Sequence, residues 1–247
     1  LDSLDEAETG LSSPQEELEA WLSARGYDLP EVESAATTDL ALEQATELAT
    51  EAARHLARKH MHALKADALA LPMARLEAAL PEGLQPDFDP VQLAQTLGCD
   101  LACLLRRPIA WGARHGLALG LVTCDASGTL TLRKPIDGFT LPRFGAACPL
   151  WPLFDALARP HQPIRSVLDM ASRTTQRFVT FSVGTTAQPL GFAGPSLRHA
   201  VMLIVPAARL GTGEMAQVMA GPSCRICPRQ GCFARREPSI LGAAHTG

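Results

Sequence analysis

The stretch Leu117-Ala-Leu-Gly-Leu-Val-Thr123, Asp125-Ala-Ser-Gly128, Thr129-Leu-Thr-Leu-Arg-Lys134 decides the fold class of this chain. Two short segments rich in apolar and β-branched residues flank a turn that holds both an aspartate and a glycine. This pattern predicts two antiparallel strands joined as a hairpin. Before Gly116 the apolar residues recur at helical spacing instead, so the chain changes from helices to strands at this point.

The residues before this change predict a helical half. Ser13 followed by Pro14 and two first-turn acids predicts a helix over residues 14–25. The strongest periodic signal, with leucine and alanine at helical spacing, predicts one long helix over 38–70, capped at Thr38-Asp39. Shorter helices are predicted over 71–80, 90–97 and 100–107.

The last two of these helices have the outline of a helix-turn-helix, with Gly98 between them. A short helical hairpin with a glycine turn has the same pattern and is the favoured interpretation. DNA binding is therefore not assigned to this part of the chain.

The residues after the hairpin predict a further helix over 149–158 and strands over 163–170, 176–183 and 199–206. This order favours an antiparallel sheet covered by helices on one face. The predicted fold class is α+β, with a helical N-terminal half and a PAS/GAF-like antiparallel sheet module, the latter by analogy of fold alone. Three regions follow: 1–37, an acidic lead and linker with a short helix; 38–115, helical; and 116–240, a sensor domain.

Four cysteines form the strongest chemical signal in the sequence. Cys224, Cys227 and Cys232 lie within nine residues, and Cys148 stands in a loop-like segment before a proline. Three thiolates from one loop and one from elsewhere are typical of iron–sulfur ligation, and a structural zinc site is the alternative. Free or redox-active thiols remain a third interpretation. A metal at this place would fix the C-terminal tail against the segment around Cys148.

Composition limits the cellular setting. Seven cysteines without a secretory signal indicate a reducing, cytoplasmic compartment, and no apolar run is long enough to span a membrane. Cys99, Cys103 and Cys124 lie in apolar contexts, which predicts buried thiols. The chain begins at Leu1 rather than methionine, which predicts a further segment before it.

Charge is unevenly distributed along the chain. Residues 1–100 contain 20 acidic and 6 basic residues, whereas residues 101–247 contain 6 and 16. The basic half can meet an anionic ligand, or the two halves can simply attract each other.

No enzyme motif is present. The sequence lacks a phosphate loop, a nucleophile elbow, a dinucleotide fingerprint and the zinc-protease pattern His-Glu-x-x-His. Trp151 and Phe154, three residues apart on a predicted helix, are candidates for lining a ligand pocket, although core packing is their default role. Arg198 and His199, just before a predicted strand, are the remaining ligand-binding candidates.

Several segments together resemble a known family, the short-chain fatty acyl transcriptional regulators, which are bacterial Xre-type proteins. The resemblance covers roughly residues 85–240 and includes Leu197-Arg198-His199-Ala200. It is most specific in the two cysteine segments, Arg143-Phe144-Gly145-Ala146-Ala147-Cys148-Pro149-Leu150-Trp151 and Cys224-Arg225-Ile226-Cys227-Pro228-Arg229-Gln230-Gly231-Cys232. It implies a DNA-binding helix-turn-helix domain N-terminal to this chain, a middle segment related to metallopeptidases without their metal motif, and an acyl-CoA effector.

The chain also departs from the family pattern. Many members carry Gly-Cys-Glu where Gly194-Pro195-Ser196 stands here, and Gln230-Gly231 replaces an acidic residue. A redox or oxygen signal is therefore a plausible substitute for the family's own.

The sequence as a whole predicts the sensor and oligomerisation part of a homodimeric transcription regulator. Cys148, Cys224, Cys227 and Cys232 would hold an iron–sulfur cluster of the 4Fe-4S type, or zinc. Two alternatives are a zinc-stabilised interaction module without sensing, and a redox or acyl-CoA-handling enzyme.

Overall fold

The computed structural model of the chain describes residues 13–34, 39–81, 83–142, 145–171, 175–212 and 216–241. Its helices are α1 (Pro14–Ala24), α2 (Asp39–Glu43), α3 (Glu51–Ala70), α4 (Met73–Ala79), α5 (Pro90–Leu97), α6 (Leu101–Arg106), α7 (Pro108–Arg114) and α8 (Pro152–Ala158). Its strands are β1 (Gly120–Asp125), β2 (Leu130–Lys134), β3 (Ile164–Met170), β4 (Gln176–Ala187), β5 (Leu197–Pro206) and β6 (Gln217–Ala220).

The strands form one mixed sheet in the order β2-β1-β5-β4-β3-β6. Every neighbouring pair is antiparallel except β3 and β6, which are parallel. The α+β class is therefore confirmed. Strand β6 was missed because it is four residues long and half exposed, which leaves little alternation to detect.

Helices cover both faces of the sheet, not one face as predicted. Alternate residues of the central strand β5 enter two separate apolar clusters, with Val201 and Leu203 on one side and Met202 and Ile204 on the other. The first cluster joins the sheet to the helices before Gly116. The second joins it to α8 and to the loop that holds Cys148. The predicted domain boundaries stay a prediction, since the helical half and the sheet share the first cluster.

The predicted long helix over 38–70 is wrong in its first third. The chain leaves the helix after α2 and starts again at Thr50, whose hydroxyl accepts a hydrogen bond from the amide of Ala53. The buried carboxylate of Glu17 in α1 accepts hydrogen bonds from the amide and hydroxyl of Thr50. This tertiary contact fixes the start of α3, and helical periodicity could not reveal it. The expected cap at Thr38-Asp39 lies outside the described side chains.

The favoured helical hairpin of α5 and α6 is present. Asp89 and Asp100 cap the two helices, and Gly98 ends the first with a left-handed backbone at φ 60°. Leu104 and Leu105 of α6 are buried against the sheet, so this helix serves the core. No described helix is long and apolar enough to cross a membrane.

A partly buried ion pair joins α3 to α6. Arg106 donates from Nε and Nη2 to the two carboxylate oxygens of Asp67, at 2.6 and 2.7 Å. Nearby, burial lowers the pKa of His60 to about 4; Asp67 opposes this shift, and the charge of Arg106 adds to it. His60 is therefore neutral in the folded chain over the usual pH range.

Stability should fall on mild acidification because of His60. The unfolded chain binds a proton on His60 near pH 6.5, whereas the folded chain resists it down to about pH 4. The free energy of unfolding should therefore drop by up to about 3 kcal/mol between these values. His60→Gln should flatten this slope in urea titrations, while the same change at the exposed His62 should not. Equal slopes in the two variants would contradict the assignment.

Candidate metal centre

The four predicted ligands come together at one place. Cys148 lies in the loop before α8, and Cys224, Cys227 and Cys232 lie in the tail after β6. All four line one small cavity; three of them are buried, and Cys232 is half-buried. Within the described part of the chain, no three His, Cys, Asp or Glu side chains form a group that could hold a metal ion.

The tail is attached to the Cys148 loop through its backbone. The amide of Cys148 donates to the carbonyl of Pro222 at 3.0 Å, and the buried indole of Trp151 donates to the carbonyl of Gly221 at 2.9 Å. A Cβ atom at Gly221 would lie 2.5 Å from Sγ of Cys227. Only glycine therefore lets the strand end approach the thiols this closely.

Arg235 holds the tail in its folded shape. Its guanidinium donates to the carbonyls of Cys224 at 3.0 Å and Cys227 at 3.4 Å, and also to the carbonyl of Arg229. These carbonyls lie outside the sheet, and within the described residues only that of Cys224 also accepts a backbone hydrogen bond, from the amide of Cys227 at 3.4 Å in a short 3-10 turn. The guanidinium of Arg235 thus fixes the tail by bonding to several of its backbone carbonyls at once.

Arg236 joins the tail to the loop and tunes one thiol. Its amide donates to Sγ of Cys224 at 3.4 Å, and its guanidinium donates to the carbonyl of Ala147 at 2.6 Å. Burial alone would raise the pKa of Cys224, but the hydrogen bonds and charge of Arg236 outweigh it and hold that pKa below its usual value. This lowered pKa favours the thiolate form of Cys224.

Cys148 has the opposite tendency. Burial raises its pKa, hydrogen bonds from the backbone of Leu150 and Gly221 oppose this, and the charges of Cys224 and Cys227 raise it further. The mutual influence of these thiols reflects their closeness. A cation between them would relieve the repulsion and favour all the thiolates.

The other cysteines are core residues. Cys103 and Cys124 are buried, as predicted, and burial raises their pKa values to about 12 and about 11. Cys99 is only half-buried.

The four ligand-binding candidates do not form one pocket. Trp151 is buried in the second apolar cluster, where its ring lies 5.3 Å from Phe139 and is stacked on Phe154 at 6.5 Å. Arg198 and His199 are exposed at the start of β5. Core packing therefore accounts for Trp151 and Phe154, and a ligand contact at any of the four stays a prediction.

A cavity that the sequence did not indicate lies between the helical half and the sheet. Its volume is about 210 Å³, and it is lined by Phe88, Leu101, Leu105 and Phe181 among others. Arg165 also lines it, with its guanidinium 5.5 Å from the ring centre of Phe181. No signal in the sequence could have found it, because its walls come from four separate segments, at residues 88–91, 101–105, 163–165 and 181–182.

Comparison with known proteins identifies the family. A family model described as the C-terminal part of the short-chain fatty acyl coenzyme A regulators matches residues 109–246, which include all four cysteines of the cavity. The chain belongs to this family. Its members are regulators of transcription and not enzymes, which confirms the predicted resemblance and the absence of an enzyme assignment.

Individual relatives support the same family. The chain is 28% identical over 206 residues to the HTH-type transcriptional regulator PrpR of Mycobacterium tuberculosis, covering 79% of this chain and 42% of PrpR. It is 30% identical over 145 residues to the propionyl-CoA carboxylase regulator of Cereibacter sphaeroides, covering 55% of this chain and 30% of that protein. The chain thus spans less than half the length of these regulators.

A solved structure has the same fold. A Mycobacterium tuberculosis transcriptional regulator superposes with a TM-score of 0.66 at 25% sequence identity, covering 85% of this chain and 66% of that one. The coverage extends beyond the residues of the family match, so the helical half is part of the shared fold.

Loss of Arg235 should loosen the tail. Arg235→Met removes hydrogen bonds to several backbone carbonyls, each worth about 1 kcal/mol. Amide hydrogen exchange over residues 224–237 should therefore accelerate by at least about tenfold. Arg229→Met, which removes one exposed hydrogen bond to the carbonyl of Met219, is the matched control. Equal exchange in the two variants would show that Arg235 does not organise the tail.

Proposed function

We propose that this chain is the sensor and oligomerisation region of a dimeric, cytoplasmic, DNA-binding transcription regulator, and that its four clustered cysteines hold an iron–sulfur cluster. The observation that carries the proposal is the cavity lined by Cys148, Cys224, Cys227 and Cys232. Its thiols come from two segments more than 70 residues apart in sequence.

The donor chemistry around the cavity suits a cluster of the 4Fe-4S type, and the cavity, about 10 Å³ in this structure, would have to widen to hold one. Four cysteine thiols are the donor set that such a cluster takes, and the arginines around them offset its negative charge. Zinc is the alternative, but it needs all its ligands about 2.3 Å from one point. A cluster spreads its ligands over several irons, and the single fourth thiol, Cys148, on a separate segment favours this arrangement.

The chain's own residues would hold and shield the group. Arg235 keeps the tail folded, Gly221 lets it approach, and Trp151 fixes Gly221 of the cavity lining through the hydrogen bond of its indole. The charge of a bound cluster, and whether the cluster stays intact, would depend on oxidants and on the supply of iron. Loss of the group would remove the positive charge that stabilises four adjacent thiolates. We therefore expect the tail to loosen from the Cys148 loop.

A polar contact offers a route from this site to the N-terminal helix. Arg133 of β2 donates to the carboxylate of Glu19 in α1 at 2.9 Å and to the carbonyl of Pro142 at 2.9 Å. Pro142 lies in the segment that leads to Cys148, while α1 lies nearest the N-terminal end of the described chain. A shift of that segment would therefore change the seating of α1, and with it the position of a preceding DNA-binding domain.

Two further parts of this proposal concern a DNA-binding domain elsewhere in the protein and the type of sheet in this chain. PrpR is named as an HTH-type regulator, and both matched relatives extend well beyond this chain, which supports a helix-turn-helix domain elsewhere in the protein. The antiparallel order β2-β1-β5-β4-β3 supports the PAS/GAF-like comparison, in which a sheet carries a ligand site.

An acyl-CoA effector is the proposed ligand of the cavity between α5, α6 and the sheet. Its walls are mostly apolar, with Asp89, Arg165 and Ser182 as the polar members, and at about 210 Å³ it can take a short acyl group but not the nucleotide. Arg165 stands at the edge of the cavity, where the anionic remainder of the ligand would lie. The bound ligand would contact both the helical half and the sheet, so it can bias how they pack.

Replacing one cysteine tests the cluster. Protein purified without oxygen should be brown, with iron and sulfide in equal amounts, and Cys224→Ser should lose most of both, because three thiolates hold a cluster poorly. Cys124→Ser is the matched control, since that thiol is also buried, in the apolar cluster that contains Cys148, but does not line the cavity.

Other outcomes of the metal analysis are informative. One tightly held zinc per chain, lost in Cys224→Ser, would replace the cluster by the zinc alternative. Metal content unchanged in Cys224→Ser would overturn the site itself.

Charge reversal at the cavity edge tests the effector. Arg165→Glu should weaken binding of propionyl-CoA, measured by calorimetry, by at least about tenfold, since it replaces an attractive charge by a repulsive one. Arg177→Glu is the matched control, because Arg177 is also an exposed arginine at this edge of the sheet but pairs with Asp169, away from the cavity. Equal loss in the two variants would indicate only a general charge effect.

A further inference from the structure

The β4–β5 hairpin extends beyond the sheet as an arm. Strand β3 ends its pairing with β4 at Ser182, and β1 ends its pairing with β5 at His199. Beyond these points β4 and β5 pair only with each other, through Thr186 with Arg198 and Ala187 with Leu197. We call residues 186–198 the arm. Its tip is closed by a 3-10 turn over Gly191–Ala193.

The surface of the arm is unusual for a solvated hairpin. Phe192 is fully exposed, and Leu190 and Leu197 are 65% and 47% exposed. Residues 186–197 contain no charged side chain, although charges are the usual protection of an exposed ribbon. A two-stranded ribbon is at best marginally stable by itself. Apolar contacts with a partner would explain both its length and its composition.

We propose that the arm is a dimerisation element, which inserts into a groove on a second copy of this chain while the second copy's arm inserts into the first. This inference rests on the proposed function, because it names the interface of the proposed dimer.

The exposed apolar area of the arm favours insertion of each arm into a groove of the other copy over direct packing of one arm on the other. Phe192, Leu190 and Leu197 together expose roughly 400 Å² of apolar surface. Two arms packed on each other would bury about 800 Å², which is typical of a lattice contact. Two arms in two grooves would bury about 1,600 Å², the size of a stable protein interface.

The positive charge at the base of the arm indicates which groove the arm would enter. Arg198 and the neighbouring His199 form the exposed base of the arm, so the groove needs an apolar floor and an acidic rim. A groove of about 350 Å³ beside α5 meets both needs, with Leu80, Phe88 and Leu93 in its lining and the exposed Asp87 and Asp89 at its rim. Asp89 also caps α5, which leaves Asp87 as the partner for Arg198.

The competing apolar surface has the wrong charge. Phe233, Ile240 and Leu241 are exposed on the tail, together with Arg225 and its neighbouring arginines. The base of the arm would be repelled there.

The arm and the groove lie at a compatible separation. Phe88 in the groove packs edge-to-face on Phe181 of β4, with ring centres 5.6 Å apart, and the arm begins five residues further along the same strand. That separation is roughly 17 Å along the strand, and the arm itself reaches roughly 20 Å. A two-fold partner displaced along this direction would therefore place each arm over the other's groove, as reciprocal exchange requires.

Analytical ultracentrifugation of the whole chain tests the arm. The wild-type chain should dimerise, and the double variant Leu190→Ser/Phe192→Ser should raise the dimer dissociation constant by at least about tenfold. Leu69→Ser, an equally exposed leucine on α3, should leave it unchanged. Because all three side chains are exposed, the folded monomer should survive each change.

A charge swap tests the groove. Asp87→Lys and Arg198→Glu should each weaken the dimer, and the two changes combined should restore most of its affinity. A wild-type chain that stays monomeric at about 100 μM, an arm variant that dimerises normally, or a double variant no better than the singles would each overturn the proposal. Binding of the monomer to phosphatidylcholine vesicles through Phe192 would do the same, since it would assign the arm to a membrane.

The readouts separate this inference from the proposed function. The arm variant should keep the iron, sulfide and propionyl-CoA binding of the wild-type chain. An unaltered dimer with a normal cluster would therefore overturn the arm alone, whereas a normal arm effect in a chain without metal would overturn the cluster alone.

Discussion

The pairing of β4 with β5 is the constraint on which the rest of the structure depends. The two strands pair from Phe178 with Pro206 to Ala187 with Leu197, and their side chains alternate between two apolar clusters. One cluster holds the helical half in place, and the other holds α8 and the Cys148 loop. Each face of one ladder thus organises a different layer, so the proposed ligand cavity and the cysteine site lie on opposite sides of the same strands.

Close approach between layers is permitted by two glycines. A Cβ atom at Gly184 of β4 would lie 2.1 Å from the carbonyl of Ala156, so any larger residue would push α8 away from the sheet. Gly221 does the same for the tail against Cys227. Because Trp151 and Cys148 precede α8 directly, the seating of that helix also sets the position of one wall of the cysteine cavity.

The tail depends on arginines rather than on apolar burial. Arg235 and Arg236 satisfy backbone carbonyls of the tail and the Cys148 loop, and both belong to the basic half of the chain. Their charge favours thiolates and would offset an anionic cluster, so the same residues serve folding and the proposed chemistry. The acidic first part of the chain contacts the basic second part through ion pairs, between Asp28 and Arg114 and between Asp67 and Arg106. These pairs tie the early helices to later ones.

The sequence by itself determined the change from helices to strands at Gly116, the caps of α1 and α5, and the four cysteines that share a cavity. Each of these is a local pattern, set by backbone geometry or by the spacing of a donor type within a few residues. Only the tertiary structure decided the break before Thr50, the short strand β6 and the length of the arm. These features depend on contacts between distant residues, such as Glu17 with Thr50 and Gly221 with Trp151, and such contacts leave no periodic trace along the chain.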